Sequence, residues 1–358
     1  MIQIIQNFSS STNPFPNQAW ADILLRKPPR QNSNQLPNSE DPVDDIIKAL
    51  LDSNNSYIAV QGPPGTGKTY VGSHVIANLV LQNNWKVGVV AQSHAVVENL
   101  LNAIQKLDSN IPIGKKCKES PNQPTYHQEK VAQWAQQQTT GYVIGGTTWT
   151  FAAPEMRDLA LDLIVIEEAG QFSLTNTIAC ASAGRTTLLL GDPQQLPQVS
   201  QGTHPEPVNE SALQHLLQDA KTMPANMGYF LQKTFRMHPL ISKAVSKLQY
   251  ENRLTADPRT EKRNLEGINP GLEIIRLDHE NNTTKSDEEA KEIIKRIKNI
   301  LNKPWTDTDK DGNPVAPRPL EQTDILVVTA YNAQVKNIKT LLRNRGTNEK
   351  VADRRLFW

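Results

Sequence analysis

The sequence predicts an α/β fold built on a doubly wound parallel sheet, and three observations predict it. Short, nearly continuous apolar runs at Tyr57–Val60, Lys86–Ala91, Tyr142–Gly145, Leu163–Ile166 and Thr186–Leu190 read as strands covered on both faces. Helical stretches separate these runs, giving repeated βαβ units. The octapeptide Gly62-Pro63-Pro64-Gly65-Thr66-Gly67-Lys68-Thr69 follows the first run and opens a helix. That is the setting in which a glycine-rich loop cradles phosphate.

Residues 1–55 precede the first strand and are rich in Asn, Ser, Gln and Pro. Ser9–Pro14 and Lys27–Ser33 read as linker. Between them, Trp20–Leu25 has the pattern of a helical turn or two, and Pro42–Leu51 that of a short amphipathic helix. The first domain spans 56–228, with a polar, Gln-rich insertion at about 108–140. Its first basic residues, Lys115, Lys116 and Lys118, fit either a nucleic-acid path or a solvated basic turn. A Gly/Pro loop follows at Gln201–Pro207. A second, weaker series fills 229–358. Its strands are expected at Tyr229–Leu231, Leu272–Arg276 and Asp324–Thr329, with helices near Pro239–Leu248, Ser286–Leu301 and Asn332–Leu342. This is the beginning of a second α/β domain whose last strands are not in the sequence.

Composition narrows the classes. The chain has 358 residues, enough for two ordinary domains, and a net charge of +1. A nucleic-acid site is therefore a local groove rather than a global basic surface. No apolar run reaches the length of a membrane span. The N-terminus has no basic leader, and Cys117 and Cys180 stand far apart with no CxxC partner. Two reduced thiols in a cytoplasmic protein are expected.

The chemistry lies at the ends of the predicted strands. In the octapeptide, glycines let backbone N–H groups turn towards phosphates, and the helix N-terminus adds its dipole. Lys68 neutralises phosphate charge, and the Thr69 hydroxyl suits Mg²⁺. Glu167-Glu168 ends the run Leu163-Ile164-Val165-Ile166. Successive strand residues point opposite ways, so one carboxylate serves the Mg²⁺ shell and the next orients or deprotonates a water. Gly191-Asp192-Pro193-Gln194-Gln195 has turn chemistry on the same edge and places Gln195 to sense a γ-phosphate. Arg236, before a helix of the second series, fits a cation supplied across a cleft. Phe235 beside it fits stacking on adenine or core packing.

These four motifs, in this order, resemble superfamily 1 helicases of the 1B type. Gly62–Thr69 matches motif I, Ile166–Gly170 motif II, Gly191–Gln195 motif III and Phe235–Pro239 motif IV. Ala91–Val97 resembles motif Ia, Gly146–Trp149 stands where motif Ib is expected, and Ala330–Gln334 resembles the segment before motif V. The likeness runs from about Ser56 to Lys350. It is closest to the helicase portion of bacterial proteins in which such a helicase follows a RecB-like nuclease domain, although no nuclease constellation is visible here.

The resemblance implies a P-loop NTPase with one complete RecA-like lobe and an incomplete second one. It implies ATP and Mg²⁺ as cofactors, and movement along single-stranded nucleic acid, DNA rather than RNA. Position by position, Gly62, Pro63, Pro64, Gly65, Thr66, Gly67, Lys68 and Thr69 surround the phosphates, and Thr69 and Glu167 hold the metal. Glu168 activates water, and Gln195 and Arg236 contact the γ-phosphate. Ser93, His94, Thr147 and Thr148 touch the strand, while Trp149 fits that path and a core position equally.

The chain departs from the family in three places. Glu167 stands where the family has Asp, and the extra methylene shifts the carboxylate. No adenine-reading glutamine is assignable upstream, since Gln61 is too close to the loop. Arg343–Trp358 carries neither the motif with a Phe-Gln-Gly-like core nor motif VI with its second arginine finger. A truncated motor is expected, with a nuclease domain or a C-terminal partner supplying what is missing. Such a finger is worth roughly 10³–10⁵ in turnover, which implies weak hydrolysis by this chain. The contrasting expectation is a nucleotide-gated nucleic-acid or protein binding module without productive hydrolysis.

Overall fold

Eight strands, paired in parallel throughout, form the sheet that the βαβ pattern demands. The computed structural model describes residues 15–117, 127–128, 130–196, 202 and 204–343. Ser9–Pro14, Lys118, Gln201 and Thr203 of the Gln201–Pro207 loop, and the tail after Arg343 lie outside the described residues. The chain divides into two compact units, Met1–Thr234 with Ser246–Thr255, and Phe235–Val245 with Ala256–Trp358.

The first unit opens with helices α1 (Ala19–Leu24) and α2 (Pro42–Leu51). The alternation then runs β1 (Tyr57–Gln61), α3 (Lys68–Asn83), β2 (Lys86–Val90), α4 (His94–Leu107), β3 (Ile113–Lys116), β4 (His127–Gln128) and α5 (Val131–Gln136). It continues through β5 (Tyr142–Gly146), α6 (Thr148–Phe151), α7 (Pro154–Arg157), β6 (Leu161–Glu167), α8 (Leu174–Ala181), β7 (Gly184–Gly191), α9 (Ala212–Leu217) and β8 (Gly228–Phe230). The spatial order is β4-β3-β5-β2-β6-β7-β1-β8. All of β1 and β5 is buried, as strands with helices on both faces must be. One core cluster packs Ile58, Val60, Val89, Val165 and Leu188 against Val75, Leu79, Leu100 and Ile104 of α3 and α4.

Local chemistry sets the helix starts. Asp41 caps α2 by accepting from Val43 N at 2.9 Å, with Pro42 in the first turn. Ser93 caps α4 through Val96 N, and Ser173 caps α8 through Asn176 N. Gly67, at φ +82°, turns the loop into α3, a left-handed conformation that glycine adopts without a Cβ penalty.

The sequence expectations meet four differences. The N-terminal segment, expected to be linker-like with short helices, is built into the first unit over residues 15–55: Trp20 and Ile23 are buried. Burying Ile23 alone is worth roughly 1.5–3 kcal/mol, a real share of a domain's stability. Asp22 is buried too, and accepts from Ser56 Oγ at 2.7 Å and Arg30 Nη1 at 3.0 Å. Its carboxyl is raised above the usual range, mainly by burial, with Ser56 and Arg30 opposing. Second, the polar insertion extends the sheet through β3 and β4. Lys115 is 1 % exposed and donates to Glu98 Oε1 at 2.8 Å, so it lines no strand path.

Third, the strand at Gly228–Phe230, expected to open the second series, pairs with β1 in the first unit. Fourth, Leu272–Arg276 and the 325–329 run have no ladder partner among the described residues. In the second unit, helices α11 (Asp287–Ile300) and α12 (Asn332–Arg343) form a cluster around Ile294, Ile297 and Ile338, on which Ile325 and Val327 pack. Leu326 and Val328 are exposed, so the period-two alternation persists without a sheet. A small antiparallel sheet of β9 (Asn264–Leu265), β10 (Pro304–Thr306) and β11 (Arg318–Pro319) accompanies them. Helix α10 (Pro239–Gln249) runs through residues of both units.

The Lys115–Glu98 pair yields a test. Removing the half-exposed acid strands a buried ammonium, which costs more than replacing the lysine by an apolar side chain. Glu98→Ala is expected to lower stability by roughly 3 kcal/mol, and Lys115→Met to change it by less than about 1 kcal/mol. Urea midpoints of the two variants in the reverse order contradict the pairing.

Candidate nucleotide site

In an open parallel sheet, ligands collect outside the carboxyl ends of the strands, where the strand order reverses. Here β1 is flanked by β7 and β8, and β7 by β6. The phosphate loop leaves β1, Glu167-Glu168 leaves β6, and Gly191–Gln195 leaves β7. The three sequence motifs therefore meet on one edge.

The loop is held from within. Gly65 and Gly67 have φ of +79° and +82°. Thr66 Oγ1 donates to Pro63 O at 2.8 Å, and Lys68 Nζ to Gly62 O at 2.8 Å. Thr234 Oγ1 donates to Pro64 O at 2.9 Å. Behind the loop, the N-terminus of the 16-residue helix α3 presents main-chain donors to an anion.

Glu167 is 3 % exposed, and the Thr69 hydroxyl hydrogen-bonds its carboxylate. Burial, and then the neighbouring Glu168, push its pKa up to about 7, while Lys68 and Thr69 pull it down. Glu168 has φ +56°, a left-handed backbone that is costly for a glutamate. Such strain, of order 1–3 kcal/mol, is kept where the surroundings impose it, most often at functional sites. Glu167 Oε2 and Glu168 Oε2 are buried without a hydrogen-bond partner. Two such anionic oxygens beside a hydroxyl are a hard-oxygen donor set, and they fit Mg²⁺, which takes one or two protein ligands and completes its shell with phosphate and water.

The third turn is wired differently. Asp192 is buried and accepts from Tyr250 Oη at 2.6 Å, Gln194 N at 3.2 Å and Gln61 Nε2 at 3.4 Å. Burial raises its carboxyl, with the Tyr250 hydrogen bond the largest opposing effect. Gln61 also accepts from Met223 N at 2.7 Å and donates to Lys221 O at 3.0 Å. It is a structural strap at the end of β1. Gln195 is half-buried, its N–H bonded to Asp192 O in the turn. In the sequence, Gln61 reads only as a neighbour of the loop and Asp192 only as a turn residue, and nothing signals Tyr250; a glutamine closing an otherwise apolar strand is the available sign of the strap.

Next to these turns, β2 and β5 end in Ser93 and His94, both exposed, and in half-buried Thr147 and Thr148. Trp149 is 87 % exposed, so its core alternative is excluded. Phe235 and Arg236 are exposed and belong to the second unit. There Arg259 lies over the Phe235 ring at 5.0 Å, and Arg263 Nη1 donates to Arg236 O at 2.7 Å. A cavity of about 260 Å³ is lined by Phe235, Asp257, Arg259, Thr260, Arg263 and Lys310 among others.

Two family models match, each described as an AAA domain, over residues 44–221 and 208–353. The chain is 24% identical over 354 residues to the DNA replication ATP-dependent helicase/nuclease DNA2 of Gallus gallus, across 95% of this chain and 32% of that protein. It is 24% identical over 350 residues to the protein of the same name from Saccharomyces cerevisiae, across 85% of this chain and 21% of that one. It thus spans a third or less of these relatives' length. A solved Arterivirus nonstructural protein 10 (helicase) with DNA overlaps 57% of this chain and 42% of its own, at 16% identity and a TM-score of 0.37, a shallow likeness.

Glu167 yields a second test. A carboxyl raised from the usual 4.5 to about 7 holds its proton more tightly when folded. Its contribution to stability is complete below about pH 4.5 and is lost as pH rises through about 7. The melting temperature of the nucleotide-free chain is expected to fall between about pH 5 and pH 8 relative to Glu167→Gln. Parallel profiles for the two proteins contradict that burial. With loop, acids and family models in agreement, the chain carries an ATP-binding, P-loop NTPase-like module that resembles helicase motors and is distantly related to DNA2-like helicases.

Proposed function

We propose that this chain is the motor portion of a superfamily 1B helicase, coupling ATP hydrolysis to movement on single-stranded nucleic acid, DNA in preference to RNA. One observation carries the reading: the Thr69 hydroxyl bonded to Glu167, with the strained Glu168 next to it at the same strand end. Thr69 and Glu167 would hold Mg²⁺, which would supply positive charge to the transferring phosphoryl group. Gly62 to Lys68 surround the phosphates. Glu168 takes the proton of the attacking water. Gln195 contacts the γ-phosphate, with Arg236 and Phe235 of the second unit serving phosphate and adenine.

Ser93, His94, Thr147 and Thr148 form the strand path in this reading. Hydroxyls and main-chain N–H groups position a phosphodiester backbone without reading sequence. Kinship with the helicase portions of bacterial RecB-like nuclease fusions belongs to the same reading, as does a nuclease domain or other partner acting with the motor. The relatives' own names join helicase and nuclease. A cytoplasmic setting is consistent with two free thiols, of which Cys180 is buried and pushed up to about 12.

The experiment is steady-state ATP hydrolysis with and without single-stranded DNA. Glu168→Gln is expected to bind ATP normally and to lose roughly 10²–10⁴ in turnover, as removal of a general base does. Lys68→Ala is expected to lose nucleotide binding as well. Wild-type turnover in Glu168→Gln overturns the assignment of the base, and turnover indifferent to DNA overturns the motor.

A further inference from the structure

We propose that Trp149 is a stacking platform for one unpaired nucleobase, reading no sequence and fixing where a strand rests on the sheet edge. The inference rests on the strand path given above. Helix α6 divides its two aromatic residues between opposite environments. Phe151 is fully buried over β2, where a Cβ added to Gly88 would fall 2.5 Å from Phe151 Cε1. Two residues earlier on a helix is roughly 200° around the axis, so Trp149 points the other way and is 87 % exposed. The other tryptophans among the described residues are buried or half-buried: Trp20, Trp85, Trp134 and Trp305. An indole gains more from burial than most side chains, and the fold does not use this one.

Register places the indole among groups suited to a nucleic-acid backbone. Val90 of β2 is opposite Gly146 of β5, and Lys115 of β3 is opposite Gly145. Lys116, Thr147-Thr148-Trp149 and Ser93-His94 therefore leave three adjacent strands at one level. Lys116, Ser93 and His94 are exposed. No other large apolar side chain is exposed among residues 91–96 or 142–153. A protein-docking tryptophan would share an apolar patch, whereas this one stands among a cation, hydroxyls and an imidazole. That is the combination by which single strands are held without sequence preference, with charge and hydroxyls on phosphate and an aromatic face on a base. A base in a duplex already has both faces covered, so the platform favours unpaired strands.

The test uses the full chain, an oligo(dT) strand, and an abasic strand of equal length with the same backbone. Wild type is expected to bind oligo(dT) more tightly than the abasic strand, with quenching of tryptophan emission. Trp149→Ala is expected to lose roughly 5- to 150-fold in oligo(dT) affinity, the range for one stacked base, and to bind both strands alike. Trp149→Phe is expected to keep most of the affinity and lose the quenching. Unchanged thermal melting of both variants separates the effect from misfolding. A Trp149→Ala chain that keeps full affinity and its preference for bases overturns the platform while leaving the strand path standing. A wild-type chain that binds neither strand overturns the strand path itself, and the platform with it.

Discussion

At the carboxyl edge of the sheet, three strand ends are joined main chain to main chain. Gly62 N donates to Gly191 O at 2.8 Å, and Ala169 N to Leu190 O at 2.8 Å. The turns press so closely that a Cβ on Gly170 would fall 2.2 Å from Asp192 O, and one on Gly191 2.4 Å from Gly170 N. No side chain fits between them, so the contact is backbone on backbone and has no rotamers to relax. The phosphate loop, the two glutamates and the Asp192 turn inherit their relative positions from it. Sub-ångström placement matters in phosphoryl transfer, where catalysis is mostly positioning and charge.

The same edge separates carboxylates that are committed from those that are available. Both oxygens of Asp192 are engaged, one by Gln61 and Gln194, the other by Tyr250. A buried acid so satisfied is a structural anchor, holding the β7 turn to β1 and to the segment around Tyr250. Glu167 and Glu168 each keep a buried oxygen with no hydrogen-bond partner. Buried polar atoms are paired as a rule, and exceptions call for a reason. Among the carboxylates on this edge, the aspartate is committed to architecture, and the glutamates hold the oxygens that the proposed cation would use.

Most of the first unit was legible because its signals are local. Five buried apolar runs became strands within a residue or two, and Pro42–Leu51 became a helix with the expected bounds. The loop, the acid pair and the Asp192 turn fell on one edge because parallel topology puts every strand's carboxyl end there. What was illegible depends on distant partners. Lys115 reads as a solvent residue until Glu98, on the preceding helix, neutralises it inside the sheet. Asp22 reads as a polar residue of a short helical turn until Ser56 and Arg30 close around it. Leu272–Arg276 has every local mark of a strand, but a ladder is a property of two segments, and propensity speaks for only one.

Charge gives a reason for the proposed nucleotide and its cation to bind together. Lys68 is the cation that faces both Glu167 and Asp192, lowering the pKa of each, yet burial still leaves both raised. With Glu168 beside them, three carboxylates share this edge. Two like charges about 4 Å apart repel by roughly 4 kcal/mol at the effective dielectric typical of partly buried sites. A bare triphosphate would add to that repulsion. A divalent ion carried on the phosphates would reverse its sign, because both glutamates would then face positive charge and Glu167 would favour its ionised form. Under the proposed function, the protonation of Glu167 and the occupancy of the loop would be one equilibrium, and the buried acid pair would favour metal-bound over bare nucleotide.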